Sequence, residues 1–265
     1  GILVTMTNLP SLRDSNPVLS SIWRLFVYPV EYLHLLTFKS SYTFRLVPNI
    51  LNSGGEKVTV RAYLALLNFK ANHRKLLVTD EIVGGKRTFV SLVTSANPHD
   101  GSSAHSNVAL KVRGDIAYDI LQSEKRVIEM AGKTFVEPPT SAKETEVGSV
   151  DARLVTDRAI LNEVTALIRA TQEGDSIDMP MFYLSDRHVI KELIDASTRG
   201  VVVRLILDPN KDAFGKQKNG IPNREVADTL VSDGGENISV KWCSTHGEQC
   251  HAKMLVVNHK DKHSL

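Results

Sequence analysis

The stretch NHRKLLVTD (residues 72–80) returns near the end of the chain as CHAKMLVVN (residues 250–258). In both copies a histidine and a lysine stand two positions apart, next to an apolar run of the kind that forms a buried strand. A similar strand-like segment precedes each copy, VTVRA (58–62) in the first case and ISVKW (238–242) in the second. A single His-x-Lys pair arises often by chance, but two pairs with matching strands ahead of them indicate an internal duplication.

The spacing within each pair predicts a shared site. Side chains two positions apart on a strand point to the same face, so we expect His73 beside Lys75, and His251 beside Lys253. If the two halves pack as pseudo-symmetric units, the pairs meet at one cleft. Two ammonium groups can neutralise the oxygens of a phosphodiester, while one imidazole attacks phosphorus and the other protonates the leaving alkoxide. The pattern predicts phosphoryl transfer through a phosphohistidine, with no metal and no other cofactor.

The second half of the chain alternates helix and strand patterns. Residues 201–207, VVVRLIL, form a continuous apolar run that is typical of a strand covered on both faces. This alternation predicts an α/β fold with a largely parallel sheet. The other strands are expected at 176–183, 238–242 and 253–257, and the helices at 157–171, 186–197 and 223–232.

The first half shows fewer regular patterns. Strands are expected at 75–79 and 88–94, on either side of Gly84-Gly85, and a helix is expected at 116–130. The polar, proline-containing segment 137–148 is the linker candidate between the halves.

An aromatic segment, residues 22–38, lies ahead of the first motif. Its tryptophan, tyrosine and phenylalanine side chains are of the type that settle at a lipid headgroup boundary, and Pro29 argues against a spanning helix. A buried helix pair bent at the proline is the alternative interpretation. The segment belongs to the first of two predicted domains, residues 1–140. The second domain, residues 150–265, is expected to be truncated at its C-terminus.

Composition narrows the functional classes. The chain has 265 residues, a net charge of +2 and a hydrophobic content of 42%, which is the profile of a soluble globular protein. This charge is milder than nucleic-acid binders usually carry. The sequence contains no apolar run of transmembrane length and no signal-peptide pattern at its start. Cys243 and Cys250 are expected to be reduced thiols, although a disulfide between them is possible.

The motifs resemble those of the phospholipase D superfamily, which has duplicated HxKxxxxD motifs, each followed by a Ser-x-Asn element. The first copy matches in full at His73, Lys75 and Asp80, and is followed by Ser95-Ala96-Asn97. The second copy matches at His251 and Lys253 but has Asn258 in place of the aspartate, and no second Ser-x-Asn follows. The segment GVVVRLILDPNKDAFG (200–215) is similar to bacterial phospholipase D-like and cardiolipin synthase-like proteins.

The resemblance implies a fold and a set of roles. The fold would be two pseudo-symmetric α/β/α units, each with a mixed, largely parallel sheet flanked by helices, and with the active site at their interface. Family precedent assigns nucleophilic attack to His73 and acid–base work to His251. Asp80 completes the first catalytic motif and would tie its strand to a neighbouring element. The phosphate would be held by Lys75, Lys253, Ser95, Asn97 and Asn258.

One supporting residue is not evident in the sequence. The family often places an acidic residue two positions after an asparagine, where it orients a motif histidine. Here Asn107 is followed by Val108 and Ala109. Glu248, three positions before His251, is a candidate for this support, although a solvated surface carboxylate is the preferred interpretation.

These inferences predict a phosphodiesterase or phosphatidyltransferase that acts on phospholipids. It would contact a membrane peripherally through residues 22–38, in the cytoplasm of a bacterium or at its membrane. A nuclease of the same superfamily is the first alternative, although nucleic acid is the less expected partner. A non-catalytic protein that binds phosphate or phospholipid is the second. The sequence leaves open the choice between hydrolysis and transfer, and the oligomeric state.

Overall fold

The computed structural model describes residues 5, 21, 25, 47–48, 54, 57, 72–98, 100–138, 150–210, 212–213, 216–217 and 219–260. The strand expected at 58–62, most of the aromatic segment 22–38 and most of the linker 137–148 lie outside these residues. The chain divides into two compact units: residues 1–74 with 124–137, and residues 75–123 with 138–265. The predicted boundary between residues 140 and 150 stays a prediction.

A three-stranded antiparallel sheet follows the first motif. Strands β1 (Leu76–Val83) and β2 (Lys86–Thr94) form a hairpin, and β3 (Ala109–Arg113) pairs with β2. The turn residues Gly84 and Gly85 have φ values of 58° and 79°, the left-handed conformation that a tight two-residue hairpin turn requires. Both predicted strands are present, with longer bounds. The expectation of a largely parallel sheet is wrong for these strands, since a two-residue turn joins antiparallel neighbours.

Two helices accompany this sheet. The short α1 (Asp100–Ser103) lies between β2 and β3, and α2 (Asp115–Met130) follows β3 after a one-residue turn at Gly114. The second of these confirms the helix predicted at 116–130. Its first turns bury Ala117 and Ile120.

The second sheet contains four strands in the order β8-β5-β4-β9. Strands β4 (Ser176–Met181), β5 (Val202–Leu207) and β8 (Ile238–Trp242) run parallel, and β9 (Val256–Asn258) runs antiparallel to β4. The sheet is therefore mixed, as predicted. Two very short strands, β6 (Asp212–Ala213) and β7 (Lys216–Gln217), form a separate hairpin after β5.

Three helices pack on one face of this sheet and confirm the helical spacing of the sequence. They are α3 (Arg158–Arg169), α4 (Arg187–Thr198) and α5 (Asn223–Gly234), the last followed by a 3-10 turn at Gly235–Asn237. The start of α4 is capped by Asp186, whose side chain accepts from two backbone N–H groups. Such a cap stabilises a helix by about 1 kcal/mol.

The main core lies between these helices and the sheet. Each large aliphatic side chain buried there contributes roughly 1.5–3 kcal/mol relative to an exposed one. The fully buried members include Ile168, Ile177, Leu193, Leu205, Leu207 and Leu230.

The burial of β5 corrects one expectation. Along this strand buried and exposed residues alternate, with Val202, Arg204 and Ile206 exposed and the residues between them buried. The apolar run of β5 is thus covered on one face only within the described part of the chain. Arg204 and Asp178 of β4 form an ion pair on the exposed face, with an Nε–Oδ1 distance of 2.6 Å.

The carboxyl ends of the parallel strands define one edge of the second sheet. Strands β4, β5 and β8 all end there, at Met181, Leu207 and Trp242. Lys253 reaches the same edge, because it forms a single antiparallel bridge with Met181. The strand predicted at 253–257 begins only at Val256, so the second motif lies in an extended segment just before β9. No helix among the described residues is long and apolar enough to cross a bilayer.

Candidate active site

The imidazole of His251 is fixed by a backbone carbonyl. Its Nδ1 lies 3.0 Å from the carbonyl oxygen of Ser95, which can only accept, so Nδ1 carries the proton. In the neutral ring Nε2 is then unprotonated, and it accepts a hydrogen bond from Nζ of Lys253 at 3.1 Å. The ring also contacts Phe182 edge-on, with 4.8 Å between centroids. The predicted pairing of His251 with Lys253 on one side of the backbone is therefore present.

The surroundings of His251 favour its neutral form. Burial lowers the pKa of this imidazole, and the positive charges of Lys253 and Lys75 lower it further, against the opposing effect of the Ser95 carbonyl. His105 contributes a smaller effect in the same direction as the lysines. An unprotonated Nε2 is the state that a nucleophile or a general base requires.

The two motif lysines share one electrostatic environment. Burial, followed by the charge of Lys75, lowers the pKa of Lys253 to about 8, and burial also lowers the pKa of Lys75. The Lys253 ammonium also lies 5.3 Å from the centre of the Phe182 ring. Two partly desolvated cations that repel one another form a site in which a bound dianion or phosphodiester relieves an unfavourable charge density.

The backbone around His251 is held from two sides. Ser106 N donates to the carbonyl of Gln249, and His251 N donates to the carbonyl of Ser106, both at 2.9 Å. From the other side, the buried carboxylate of Asp208 accepts from Cys250 N at 2.7 Å. These bonds fix the direction in which the His251 side chain leaves the main chain.

A disulfide bond joins Cys243 to Cys250. It connects the residue after β8 to the residue before His251, and it closes the intervening loop. The expectation of two reduced thiols is wrong, because the end of β8 and the second motif converge on the same sheet edge, where Cys243 N donates to Leu207 O.

The Ser-x-Asn element supports the site through its backbone. The Ser95 hydroxyl donates to Asn107 Oδ1 and accepts from Val108 N, both at 3.0 Å, so its polar capacity is used within the fold. The backbone N–H of Asn97 donates to the Ser102 hydroxyl at 2.8 Å. The contact with His251 therefore comes from the Ser95 carbonyl. Substrate binding by Ser95 and Asn97 stays a prediction.

Asp80 and Asn258, the residues at the eighth position of the two HxKxxxxD motifs, make structural contacts. Asp80 forms an ion pair with Arg87 at 2.8 Å, which ties β1 to β2. Asn258 pairs with Ser176 at the start of β4, whereas Lys253 bridges Met181 at its end. Five residues of strand separate these positions by roughly 16 Å. The side-chain amide of Asn258 donates to the Asp178 carboxylate at 3.3 Å, which supports a structural role for Asn258.

His73, the histidine of the first motif, belongs to the compact unit formed by residues 1–74 and 124–137. His73 is solvent-exposed. The two units divide after Arg74, so Lys75 lies in the same unit as His251 and Lys253. The participation of His73 in the site stays a prediction.

Several contributors to the site carry no signal in the sequence pattern. Phe182, His105 and Asp208 all contact the second motif, although each is remote from it in sequence. Glu248 does not provide the missing acidic support in this structure. A bond from its own backbone N–H, and one that its carboxylate accepts from the backbone N–H of His246, hold the pKa of Glu248 below the ordinary value.

The edge of the sheet also holds a cavity. It has a volume of about 410 Å³ and lies beside the disulfide. Arg224 provides a cation in its wall and Trp242 an aromatic face. The remaining lining residues are Pro209, Cys243, Ser244 and Thr245.

Comparison with known proteins gives one match to a protein family. Residues 164–263 match the family described as the phospholipase D-like domain of cardiolipin synthase, a range that is less than half of the chain. No curated protein matches the chain.

Two of the solved structures that resemble the chain show weak similarity. Nuc from Salmonella typhimurium, a phospholipase D family member, is 22% identical over 37% of this chain and 56% of its own, with a TM-score of 0.29. Polyphosphate kinase from Porphyromonas gingivalis is 17% identical over 78% of this chain and 31% of its own, with a TM-score of 0.44. The chain thus spans little more than half of the first structure and less than a third of the second, and at these TM-scores neither likeness bears on its fold or function. The family match confirms the resemblance drawn from the motifs, since residues 164–263 are similar to the phospholipase D-like domain of cardiolipin synthase.

Proposed function

We propose that this protein is a metal-independent phosphodiesterase or phosphatidyltransferase that acts on phospholipids through a covalent phosphohistidine. The observation that carries the proposal is the state of His251. Its Nδ1–H is bound to the Ser95 carbonyl, and its unprotonated Nε2 lies beside the Lys253 ammonium. A neutral imidazole with a fixed tautomer next to a cation is the arrangement that phosphoryl transfer by histidine requires.

The proposed reaction has two steps. In the first, an imidazole Nε2 forms a bond to phosphorus while the bond to the leaving alkoxide breaks, and the second imidazole gives its proton to that alkoxide. In the second, water or an alcohol attacks phosphorus, the phosphorus–nitrogen bond breaks, and the second imidazole takes the proton back. Lys253 and Lys75 would stabilise the negative charge on the phosphoryl oxygens in both transition states.

The assignment of the two histidine roles extends this proposal. Family precedent gives attack to His73 and acid–base work to His251, and joins the two motifs at one pseudo-symmetric site. The unprotonated Nε2 of His251 suits attack on phosphorus as well as proton removal from the acceptor. Identifying the histidine that carries the phosphoryl adduct shows which of the two attacks phosphorus.

A phospholipid substrate is supported by apolar side chains that stay exposed around the second motif. Trp242 is 47% exposed, Met254 44% and Tyr183 38%, and all three are close in sequence to residues of the site. Such side chains can contact acyl chains or the headgroup boundary of a bilayer. Peripheral membrane contact through residues 22–38, and a location in the bacterial cytoplasm or at its membrane, belong to the same proposal.

In this proposal, the cavity beside the disulfide binds a polar group of the substrate, which lies across the scissile phosphate from the acyl chains. Arg224 can bind an anion, while Ser244 and Thr245 can hydrogen-bond hydroxyl groups. A glycerol-type headgroup, or an acceptor alcohol, has this chemistry.

Trapping the intermediate tests the proposal. The protein is incubated briefly with EDTA and a short-chain phosphatidylglycerol, quenched in mild alkali and measured by intact-mass spectrometry. We expect a phosphatidyl adduct on the wild type and none on His251→Ala or His73→Ala. His259→Ala is the matched control, because this histidine pairs with Asp175 before the start of β4, away from Lys253. An adduct with a phosphodiester oligonucleotide alone would replace the lipid substrate with nucleic acid, and no adduct with either would overturn the proposal.

A further inference from the structure

We infer that His105 is a third histidine of the site, a positioning residue that holds the second motif in register for His251 to react. The inference rests on the proposed function for its kinetic test. It deepens that function by adding a residue that neither the motifs nor the family match indicates.

The first observation is a hydrogen bond that only one tautomer of His105 can form. Gln249 N donates to His105 Nδ1 at 3.0 Å, so Nδ1 is the unprotonated nitrogen and Nε2 carries the proton of the neutral ring. The two residues lie 144 positions apart in the chain. An imidazole side chain thus satisfies a backbone N–H group two residues before the reactive histidine.

The second observation is that the bond belongs to a continuous ladder. The next residue, Ser106, donates to the Gln249 carbonyl and accepts from His251 N, and it forms a parallel bridge with Cys250. His105 therefore adds the terminal contact to a short pairing that immobilises residues 249–251. Loss of this end contact would let the Gln249 peptide rotate, and with it the start of the motif.

The third observation is that His105 is itself held rigidly. Its backbone N–H donates to Ser102 O at 3.2 Å, and its carbonyl accepts from Asn107 Nδ2 at 3.0 Å. The same asparagine amide also donates to Ser102 O at 2.9 Å. A residue fixed in this way can transmit a fixed position to its partner.

The fourth observation is proximity to the reactive ring. The ring centroids of His105 and His251 are 6.2 Å apart, with 43° between the ring planes. The orientation of the His251 ring is set by the bond from its Nδ1 to the Ser95 carbonyl. Residues 95–106 therefore form one segment that contacts both the ring of His251, through Ser95, and the backbone of residues 249–251, through His105 and Ser106.

Two substitutions separate positioning from other roles. His105→Ala removes the acceptor for Gln249 N, whereas His105→Asn places an amide oxygen near the position of Nδ1. For His105→Ala we expect a fall in kcat of about 10- to 100-fold with little change in KM, because a misplaced reactive group costs up to about 10²-fold. For His105→Asn we expect kcat to recover to within a few-fold of wild type. His246→Ala is the matched control and should leave kcat unchanged. It removes an imidazole from the loop that precedes Gln249, but this imidazole is not part of the ladder.

Nitrogen-detected NMR of the histidine rings gives a readout that is independent of turnover. The wild type should show Nδ1-protonated His251 and Nε2-protonated His105. In His105→Ala, His251 should become a mixture of tautomers. In His105→Asn, His251 should again be protonated at Nδ1. Wild-type kcat in a folded His105→Ala protein, or an unchanged His251 tautomer, would overturn the inference. A His105→Asn protein as slow as His105→Ala would also overturn it. If the wild type forms no adduct at all, the proposed function fails, and the tautomer measurement alone decides the role of His105.

Discussion

The Nζ atom of Lys253 lies 3.1 Å from Nε2 of His251, in a hydrogen bond that only an unprotonated ring nitrogen can accept. Burial and the positive charge of this ammonium both lower the pKa of the imidazole, so the ring is held in the neutral form that accepts the hydrogen bond from Lys253. An incoming phosphodiester would replace the imidazole as the acceptor for Lys253. The imidazole nitrogen would then be released at the moment when phosphorus is in reach.

Replacement of Lys253 by methionine tests this relationship. Lys253→Met keeps the side-chain length but removes the charge, so the pKa of His251 should rise, which NMR titration of the ring protons measures. The rate of adduct formation should fall by about 10²-fold or more, since a charge that stabilises the transition state is lost. Lys241→Met, on an exposed position of β8, is the control and should change neither quantity. An unchanged His251 pKa in Lys253→Met would show that the two side chains do not interact in solution.

Anion binding should weaken as Lys253 loses its proton. Because the pKa of this ammonium is lowered to about 8, it is charged below that pH and neutral above it. Sulfate keeps a constant charge over this range, so its affinity by calorimetry should fall several-fold between about one unit below and about one unit above pH 8. Lys253→Arg keeps its charge at both pH values, so any pH dependence that remains in this variant comes from other groups, among them Lys75. Equal affinities for the wild type at the two pH values would contradict the lowered pKa.

The disulfide should be measurable directly and should stabilise the domain. Reduction of Cys243–Cys250 adds two hydrogen atoms, which intact-mass spectrometry under non-reducing and reducing conditions resolves. Closing a loop this short lowers the entropy of the unfolded chain, so the paired serine variant should unfold with a free energy smaller by roughly 2–3 kcal/mol. Denaturant titration measures this difference, with the single variant Ser244→Ala as the control. An unchanged mass after reduction would show that the thiols are free.

The Asp175 carboxylate should protect the fold against acid. It accepts from Gln172 N and Lys260 N and pairs with His259, and these bonds lower its pKa from an ordinary value of 3.8 to about 2. Its folded pKa lies below the unfolded value, so its contribution is complete above pH 4 and is lost as the pH falls toward 2. Asp175→Asn should therefore unfold at a higher pH than wild type in an acid titration followed by circular dichroism. Identical acid midpoints would show that these bonds do not persist in solution.

The sequence predicted the elements of the second half well, because their periodicity is a property of short segments. The helices α3, α4 and α5 follow apolar residues at helical spacing, and β8 follows a bounded strand pattern. The exposure of Val202 and Ile206 was not predictable, because an apolar run shows which residues can be buried without showing whether a second layer covers them.

The sequence predicted that His251 and Lys253 lie side by side, as the structure has them, whereas the catalytic and binding roles of the site residues stay predictions. The pairing of His251 with Lys253 follows from their spacing alone. The bonds from His251 to the Ser95 carbonyl and from Gln249 to His105 join residues that are far apart in the chain. Backbone acceptors have no residue-type signature, so no pattern in one sequence reveals them.

The carbonyl of Ser95 also determines what a mutational survey of this protein would detect. Side-chain replacement at position 95 leaves the carbonyl in place and instead removes the buried hydroxyl bonds to Asn107 and Val108, so it would register as a defect in folding. The effect of this position on the orientation of the His251 ring becomes visible only when the main chain itself is altered. Converting the Ser95–Ala96 amide to an ester by chemical ligation would weaken the carbonyl as an acceptor while keeping every side chain, and the ring of His251 would lose its orientation without any change in the encoded residues.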